Sequence, residues 1–270
     1  MGKVYLIGAG PGAADLITLR GARLLASADA VLHDALVQPE LLEMAGRNAR
    51  IIAVGKRCHQ FSIDQRFINR ALVEAAQRHG VVVRLKGGDP MIFGRAQEEI
   101  AALQAAGIEY EIVPGITSAL AAAAELGVSL TRRGVSRNVV FVTPRIGENE
   151  SASDWAQSVL AADTAVLYMA SGQAAEIAAA LMRRGLPGST PAALVSGASL
   201  PNARKVHTTL AGLPEAAKEA GSPALIVLGE VLRARAQENL SGPVEHAASA
   251  AIGRDSGYSK NAATRLAHGA

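Results

Sequence analysis

The sequence of 270 residues holds a single cysteine, Cys58. An internal disulfide framework and a four-cysteine zinc site are therefore excluded. Aromatic residues make up only 3%, too few for the stacking platforms that bind single-stranded nucleic acid. Charged residues are also sparse, at 19% against 49% hydrophobic, the opposite of a disordered composition. No run of about 18 apolar residues occurs, so no segment reads as a bilayer-spanning helix. The start, MGKVYLIGAG, lacks a basic region followed by a long apolar stretch and predicts no secretion signal. The P-loop, H-E-x-x-H and G-x-S-x-G patterns are absent. The six histidines are scattered and make no metal set, and Cys58 reads as a buried or incidental thiol. The expectation is a cytoplasmic protein with no metal, no nucleic-acid partner and no membrane partner. A net charge of +3 permits an anionic ligand without demanding one.

What is present is an alternation of short apolar runs and amphipathic stretches. Strands are predicted at 4–8, 30–33, 50–54, 81–86 and 109–113, and again at 138–143, 164–169, 192–196, 205–209 and 224–228. Between them fall helices at 18–26, 40–45, 65–79, 95–106, 118–126, 174–184 and 215–220. Thr18 is a candidate N-cap, Ser62-Ile63-Asp64-Gln65 matches a capping box, and Gly80, Gly107, Gly127 and Gly185 stop helices. The pattern predicts an α/β chain of two domains, 1–132 and 133–240, with a mobile tail at 241–270.

Gly8-Ala9-Gly10-Pro11-Gly12-Ala13 satisfies the dinucleotide fingerprint, and Asp34 closes the second strand where a ribose-binding acid would sit. Two features weaken that reading. Pro11 has no N–H to offer a phosphate, and the next helix starts only near Thr18. Gly87-Gly88-Asp89-Pro90 and Pro114-Gly115-Ile116-Thr117-Ser118 follow strands in turn, so two loops at the carboxyl edge of one sheet would form a crevice. Asp89 there suits a ligand hydroxyl or amine. Asp34 and Lys56 also fall at strand ends, as a possible base and acid or as a pair of solvated charges. Arg95, Glu98, Arg132, Arg133 and Arg137 bracket the expected domain junction, where arginines suit a polycarboxylate or merely solubilise.

In order along the chain come GAGPG (8–12), HDALV (33–37), VGKR (54–57), RLKGGDP (84–90), IFGR (92–95), EYEIVPGITSA (109–119), LTRR (130–133), LYMASG (167–172), TPAALV (190–195) and PALIVLGEV (223–231). This series resembles the uroporphyrinogen-III C-methyltransferases of the tetrapyrrole methylase superfamily, in register from about Lys3 to Leu232. The resemblance implies a homodimer whose subunits each hold S-adenosylmethionine in a cleft between two α/β domains, a fold distinct from the Rossmann methyltransferases. It implies two methylations of uroporphyrinogen III, at carbons 2 and 7, giving precorrin-2 and S-adenosylhomocysteine. Asp34 matches the proton acceptor and Lys56 the donor. Pro11, Gly87, Gly88, Asp89, Ile92, Thr117, Ser118, Met169 and Ala198 match S-adenosylmethionine contacts. Arg95, Glu98, Arg133 and Tyr168 match positions that hold the porphyrinogen. The chain departs from the usual pattern at Ala13-Ala14, His59, Phe61, Met91, Ala96-Gln97, Pro144-Arg145 and Ala198-Ser199. A precorrin-4 methyltransferase is the nearest alternative. Diphthine synthase, a nicotinamide oxidoreductase and a non-catalytic binding protein are more distant ones.

Overall fold

A computed structural model describes residues 1–55, 65–147, 151 and 153–233. Lys56, Cys58, His59, Phe61, most of the expected capping box and the expected tail lie outside the described residues.

The β-branched and aliphatic runs form ten strands in two sheets. The first sheet contains β1 (Lys3–Gly8), β2 (Ala30–His33), β3 (Arg50–Ala53), β4 (Val81–Lys86) and β5 (Tyr110–Val113). Its order is β3-β2-β4-β1-β5, and every pair is parallel. Parallel strands covered on both faces read as continuous apolar runs, as residues 4–7 of β1, 30–32 of β2 and 81–83 of β4 do. Four helices cover them: α1 (Leu19–Ala26), α2 (Pro39–Leu42), α3 (Gln65–Arg78) and α4 (Ala96–Ala105). Leu72 and Ala76 of α3 and Ile100 and Leu103 of α4 pack on one face with Leu6, Leu32 and Val82. Leu25 and Leu41, from α1 and α2, pack on the other with Val31, Val83 and Leu85. Thr18 is the N-cap of α1 and accepts from the Gly21 N–H at 3.1 Å, a device that stabilises a helix by about 1 kcal/mol. After β1 the chain leaves to one side, and after β4 it crosses β1 to reach β5 on the other. The strand order therefore switches direction beside β1, where open α/β sheets form a ligand crevice.

The second sheet has β6 (Val139–Val142), β7 (Thr164–Leu167), β8 (Pro191–Ser196), β9 (Arg204–Thr209) and β10 (Ala224–Gly229), in the order β6-β7-β10-β8-β9. Only β6–β7 is parallel. Helices α6 (Trp155–Leu160), α7 (Ala174–Arg183) and α8 (Leu213–Ala220) cover one face. The other face is covered by α5 (Ser118–Leu126), through Ala119, Ala122 and Leu126 against Val166, Ala193, Val195 and Val227. Thus α5 follows β5 in the chain yet packs on the second sheet, which draws the carboxyl edge of the first sheet against the second half.

All ten expected strands are present. The helix expected at 40–45 is a single turn, because its last residues bond three positions back, Met44 N–H to Leu41 O and Ala45 N–H to Leu42 O. The sequence reading has no helix where α6 lies. Asp154 caps it by accepting from the Gln157 N–H.

Candidate active site

Three glycine loops close on one another at the carboxyl edge of the first sheet. The Ala9 N–H donates to Lys86 O at 2.7 Å, the Gly10 N–H to Gly88 O at 3.2 Å, and the Gly88 N–H to Gly10 O at 2.7 Å. A Cβ on Gly115 would lie 2.3 Å from Gly88 O and 2.7 Å from Gly8 Cα. Only glycine fits such an approach. Asp89 ties the assembly together. Its Oδ1 accepts from the Met91 N–H at 2.8 Å and its Oδ2 from the Gly115 N–H at 2.9 Å. Both oxygens serve the protein's own backbone, a role the sequence reading did not anticipate. Gly87, by contrast, is less crowded: a Cβ there would touch the Leu36 side chain at 3.5 Å, an ordinary contact. The amino end of α5 opens toward Gly88, whose Cβ would lie 3.8 Å from Thr117 Cα and 3.9 Å from the Ser118 nitrogen.

The same closure removes the dinucleotide reading. The N–H groups of Ala9 and Gly10 bond to the neighbouring loop, the Ala13 N–H donates to Ser199 Oγ at 3.0 Å, and Pro11 has none. Helix α1 begins at Leu19, well past the glycines. Too few donors remain for a pyrophosphate.

The second half reaches this edge at several places. Tyr168, just past β7, is buried, and its hydroxyl lies 2.6 Å from Thr117 Oγ1 and accepts from the Ala119 N–H at 3.3 Å. Its ring meets Phe93 at 4.9 Å and Phe141 at 5.9 Å. Ile92 packs into the apolar cluster under α5. Ser199 accepts from Ala13 through its hydroxyl and donates its N–H to Glu125 Oε1 at 3.1 Å. Two departures from the family pattern, Ala13 and Ser199, thus meet each other, and Ala198 beside them is buried. Phe93, Arg95, Met169 and Ser199 all hold positive φ, at 50°, 54°, 54° and 73°. Left-handed backbone at non-glycine residues costs energy and concentrates at functional loops.

Asp34 sits past β2, and Gly55, past β3, lies against it: a Cβ on Gly55 would be 2.9 Å from the Asp34 carbonyl carbon. The chain enters Lys56 from that contact, but Lys56 itself is outside the described residues. Asp34 Oδ1 accepts from Arg84 Nη2 at 2.5 Å. Arg84 Nε donates to Glu99 Oε1 at 2.9 Å, and Lys86 Nζ to Glu99 Oε2 at 3.0 Å. Gln65 Nε2 also reaches Glu99, at 3.4 Å. Arg84, Lys86 and Glu99 are buried, while the Asp34 side chain is 30% exposed. Burial weighs against the Arg84 cation, but the charges of Asp34 and Glu99 outweigh it and raise its pKa. Burial, aided by the Arg84 charge, pushes the Lys86 amine below its ordinary value. Sequence reading missed this network. Its signal was polar residues at alternate positions of β4, Arg84 and Lys86, in a strand otherwise apolar.

The remaining expected residues are spread along the rim. Arg95 and Glu98 are exposed and hold each other through two bonds, Nε to Oε1 at 2.7 Å and Nη2 to Oε2 at 2.8 Å. Arg133 is exposed in the tight turn that bridges Arg132 and Ser136. Met169 is exposed and Pro11 half-buried. Among the described residues, no cluster of His, Cys, Asp or Glu is placed to hold a metal, and no helix is long and apolar enough to cross a membrane.

Comparison with known proteins gives one consistent picture. The family described as Tetrapyrrole (Corrin/Porphyrin) Methylases matches residues 3–214. A siroheme synthase from Zymomonas mobilis is 46% identical over 230 residues, 85% of this chain and 49% of that protein. One from Chromobacterium violaceum is 47% identical over 233 residues, 86% of this chain and 50% of that protein. The chain thus spans about half the length of these relatives. A crystal structure of uroporphyrin-III C-methyltransferase from Thermus thermophilus superposes with a TM-score of 0.76 and 40% identity, covering 86% of this chain and all of that one (100%). The same enzyme is also known with S-adenosylhomocysteine bound. A cobalt-precorrin-4 methyltransferase superposes with the same TM-score, 0.76, at 28% identity, covering 85% of this chain and 95% of that one.

Proposed function

The chain belongs to the tetrapyrrole (corrin/porphyrin) methylase family, and on that premise we propose that it transfers methyl groups from S-adenosylmethionine to carbons 2 and 7 of uroporphyrinogen III, giving precorrin-2. The observation that carries the proposal is the close meeting of the Gly8, Gly88 and Gly115 loops, with Gly87 beside them and Asp34 on the same sheet edge. Its features suit the methyl donor. Gly87 and Gly88 carry no side chain to bar close approach, the amino end of α5 at Thr117 and Ser118 favours a carboxylate, and Met169 offers exposed apolar surface, with Ile92 and Ala198 packed in the apolar cluster under α5. Asp89 supports this cradle by tying the loops, and Pro11 lies on its border.

Bound S-adenosylmethionine would supply a methyl on a sulfonium, already a strong electrophile. The protein's main task is then to hold donor and ring in line. As the new carbon–carbon bond forms and the carbon–sulfur bond breaks, the pyrrole becomes cationic. It regains neutrality by losing a proton from the adjoining bridge carbon. Asp34 takes that proton in this proposal. Its Oδ1 already accepts from Arg84, so Oδ2 is the oxygen assigned to the transfer. Lys56 is assigned the donor role on the family resemblance. Arg95 and Arg133 are assigned to the substrate's eight carboxylates, with Glu98 orienting Arg95. The Tyr168 hydroxyl is occupied by α5, so Tyr168 is assigned a part in shaping the substrate wall with its ring.

The same reading includes a domain boundary at 132–133, supported by two sheets that share no strand, and a homodimer in the cytoplasm, supported by the family resemblance. The higher identity to the uroporphyrin-III enzyme, 40% against 28%, favours uroporphyrinogen III over precorrin-4. Calorimetry with S-adenosylmethionine, S-adenosylhomocysteine and NAD tests the cofactor assignment. Binding of the first two and not the third is expected; binding of NAD alone would overturn it.

A further inference from the structure

Asp34, Arg84, Glu99 and Lys86 form one unbranched chain of alternating charge, Oδ1 to Nη2, Nε to Oε1, Oε2 to Nζ, with successive distances of 2.5, 2.9 and 3.0 Å. We propose that Glu99 and Lys86 are positioning residues for the reaction, which set the orientation and proton affinity of Asp34 through Arg84. This deepens the reading of Asp34 as proton acceptor and rests on it.

The physical case begins with cost. Glu99 is 0% exposed, Arg84 2% and Lys86 3%. Buried ion pairs seldom repay their desolvation with stability, and apolar residues would pack such a site as well. A buried network with only one member reaching the crevice is better explained by what it does to that member. The arrangement is directional. Arg84 leans on Asp34, Glu99 partly neutralises Arg84, and Lys86 partly neutralises Glu99. With all four ionised their formal charge sums to zero.

Other groups around Asp34 do not complete this pattern. From β2, the His33 ring pairs with the Asp34 backbone carbonyl at 3.0 Å, not with its carboxylate. From β4 come Arg84 and Lys86, from α4 Glu99, and from α3 the neutral Gln65. Arg95 and Glu98 pair with each other on the surface. Lys56 is outside the described residues.

The charge order makes signed predictions. Glu99→Gln leaves two cations behind Asp34, so the carboxylate is held more firmly ionised and becomes a weaker base. Lys86→Met leaves Glu99 freer to offset Arg84, so Asp34 becomes a stronger one. The double variant Glu99→Gln/Lys86→Met restores neutrality. The experiment is the pH profile of methyl transfer to uroporphyrinogen III in the full chain, with S-adenosylmethionine binding measured alongside. The acid limb is expected to move down in Glu99→Gln and up in Lys86→Met, each by about half a pH unit or more, and to return toward the parent in the double variant. The substrate's own carboxylates contribute the same limb to every variant and cancel in the differences. Shifts of the same sign, or a loss of turnover with an unmoved limb, would overturn the proposal and leave these residues structural. If neither single variant folds, a folded double variant with the parental limb supports it, and an unfolded or inactive one overturns it. Asp34→Asn separates the underlying reading: if its acid limb matches the parent's, Asp34 is not the proton acceptor, whatever Glu99 and Lys86 do.

Discussion

The Tyr168 hydroxyl lies 2.6 Å from Thr117 Oγ1, joining the strand-end loop of the second sheet to the amino end of the helix that follows the first. Tyr168→Phe keeps the ring contacts with Phe93 and Phe141 but removes the partner of Thr117 and of the Ala119 N–H. Both groups are buried, so the loss is expected to cost about 1–3 kcal/mol of stability. It should also weaken S-adenosylmethionine binding, because the α5 terminus loses its anchor. Urea unfolding and calorimetry check the two effects. Unchanged stability would mean water satisfies Thr117 in the variant.

Gly115→Ala places a methyl 2.3 Å from a backbone oxygen, in a contact no rotamer can relieve. The GGDP and PGIT loops must then separate. A fold that survives with at least tenfold weaker S-adenosylmethionine binding is expected, read by calorimetry beside circular dichroism. Parental affinity would show that the loops do not need this approach.

Asp89→Asn puts an amide NH2 opposite one of two backbone donors, Met91 N–H or Gly115 N–H. One donor is exposed and the other part-buried, so losing the bond costs about 0.5–1.5 kcal/mol. The expected result is a lower melting temperature together with reduced donor affinity. A change in affinity alone, at parental stability, would instead mark Asp89 as a direct ligand contact.

Lys86 gives a pH dependence of stability. Its folded pKa lies below the model-peptide value of 10.5. Between those two values the unfolded chain binds the extra proton, so this residue's contribution makes stability rise as pH climbs toward 10.5. Lys86→Met removes that rise. Urea unfolding from neutral pH to about pH 10.5 should give a parent-minus-variant difference that grows with pH. A flat difference would mean that the amine is not perturbed.

Much of the fold was legible because apolar runs and helix stops are local signals. Val81–Lys86 and Ser118–Leu126 have the bounds their sequence predicts. Local signals also located the glycine loops and Asp34. They could not reveal that α5 packs on the second sheet, since its alanine-rich face suits either. Nor could they show that Asp89 faces its own backbone, or that Arg84 and Lys86 meet Glu99 across 15 and 13 residues. Those depend on which side of a strand faces which helix. The GAGPG loop shows the opposite failure. Its spacing permits a dinucleotide site, and only the bonds from Ala9 and Gly10 to the GGDP loop remove it.

The most direct measurement is mass spectrometry of the tetrapyrrole recovered after anaerobic incubation of the protein with uroporphyrinogen III and S-adenosylmethionine. A gain of two methyl groups is the predicted result, with two equivalents of S-adenosylhomocysteine. An unmodified tetrapyrrole, from protein that binds S-adenosylmethionine, would contradict the substrate assignment and point to a later corrinoid intermediate.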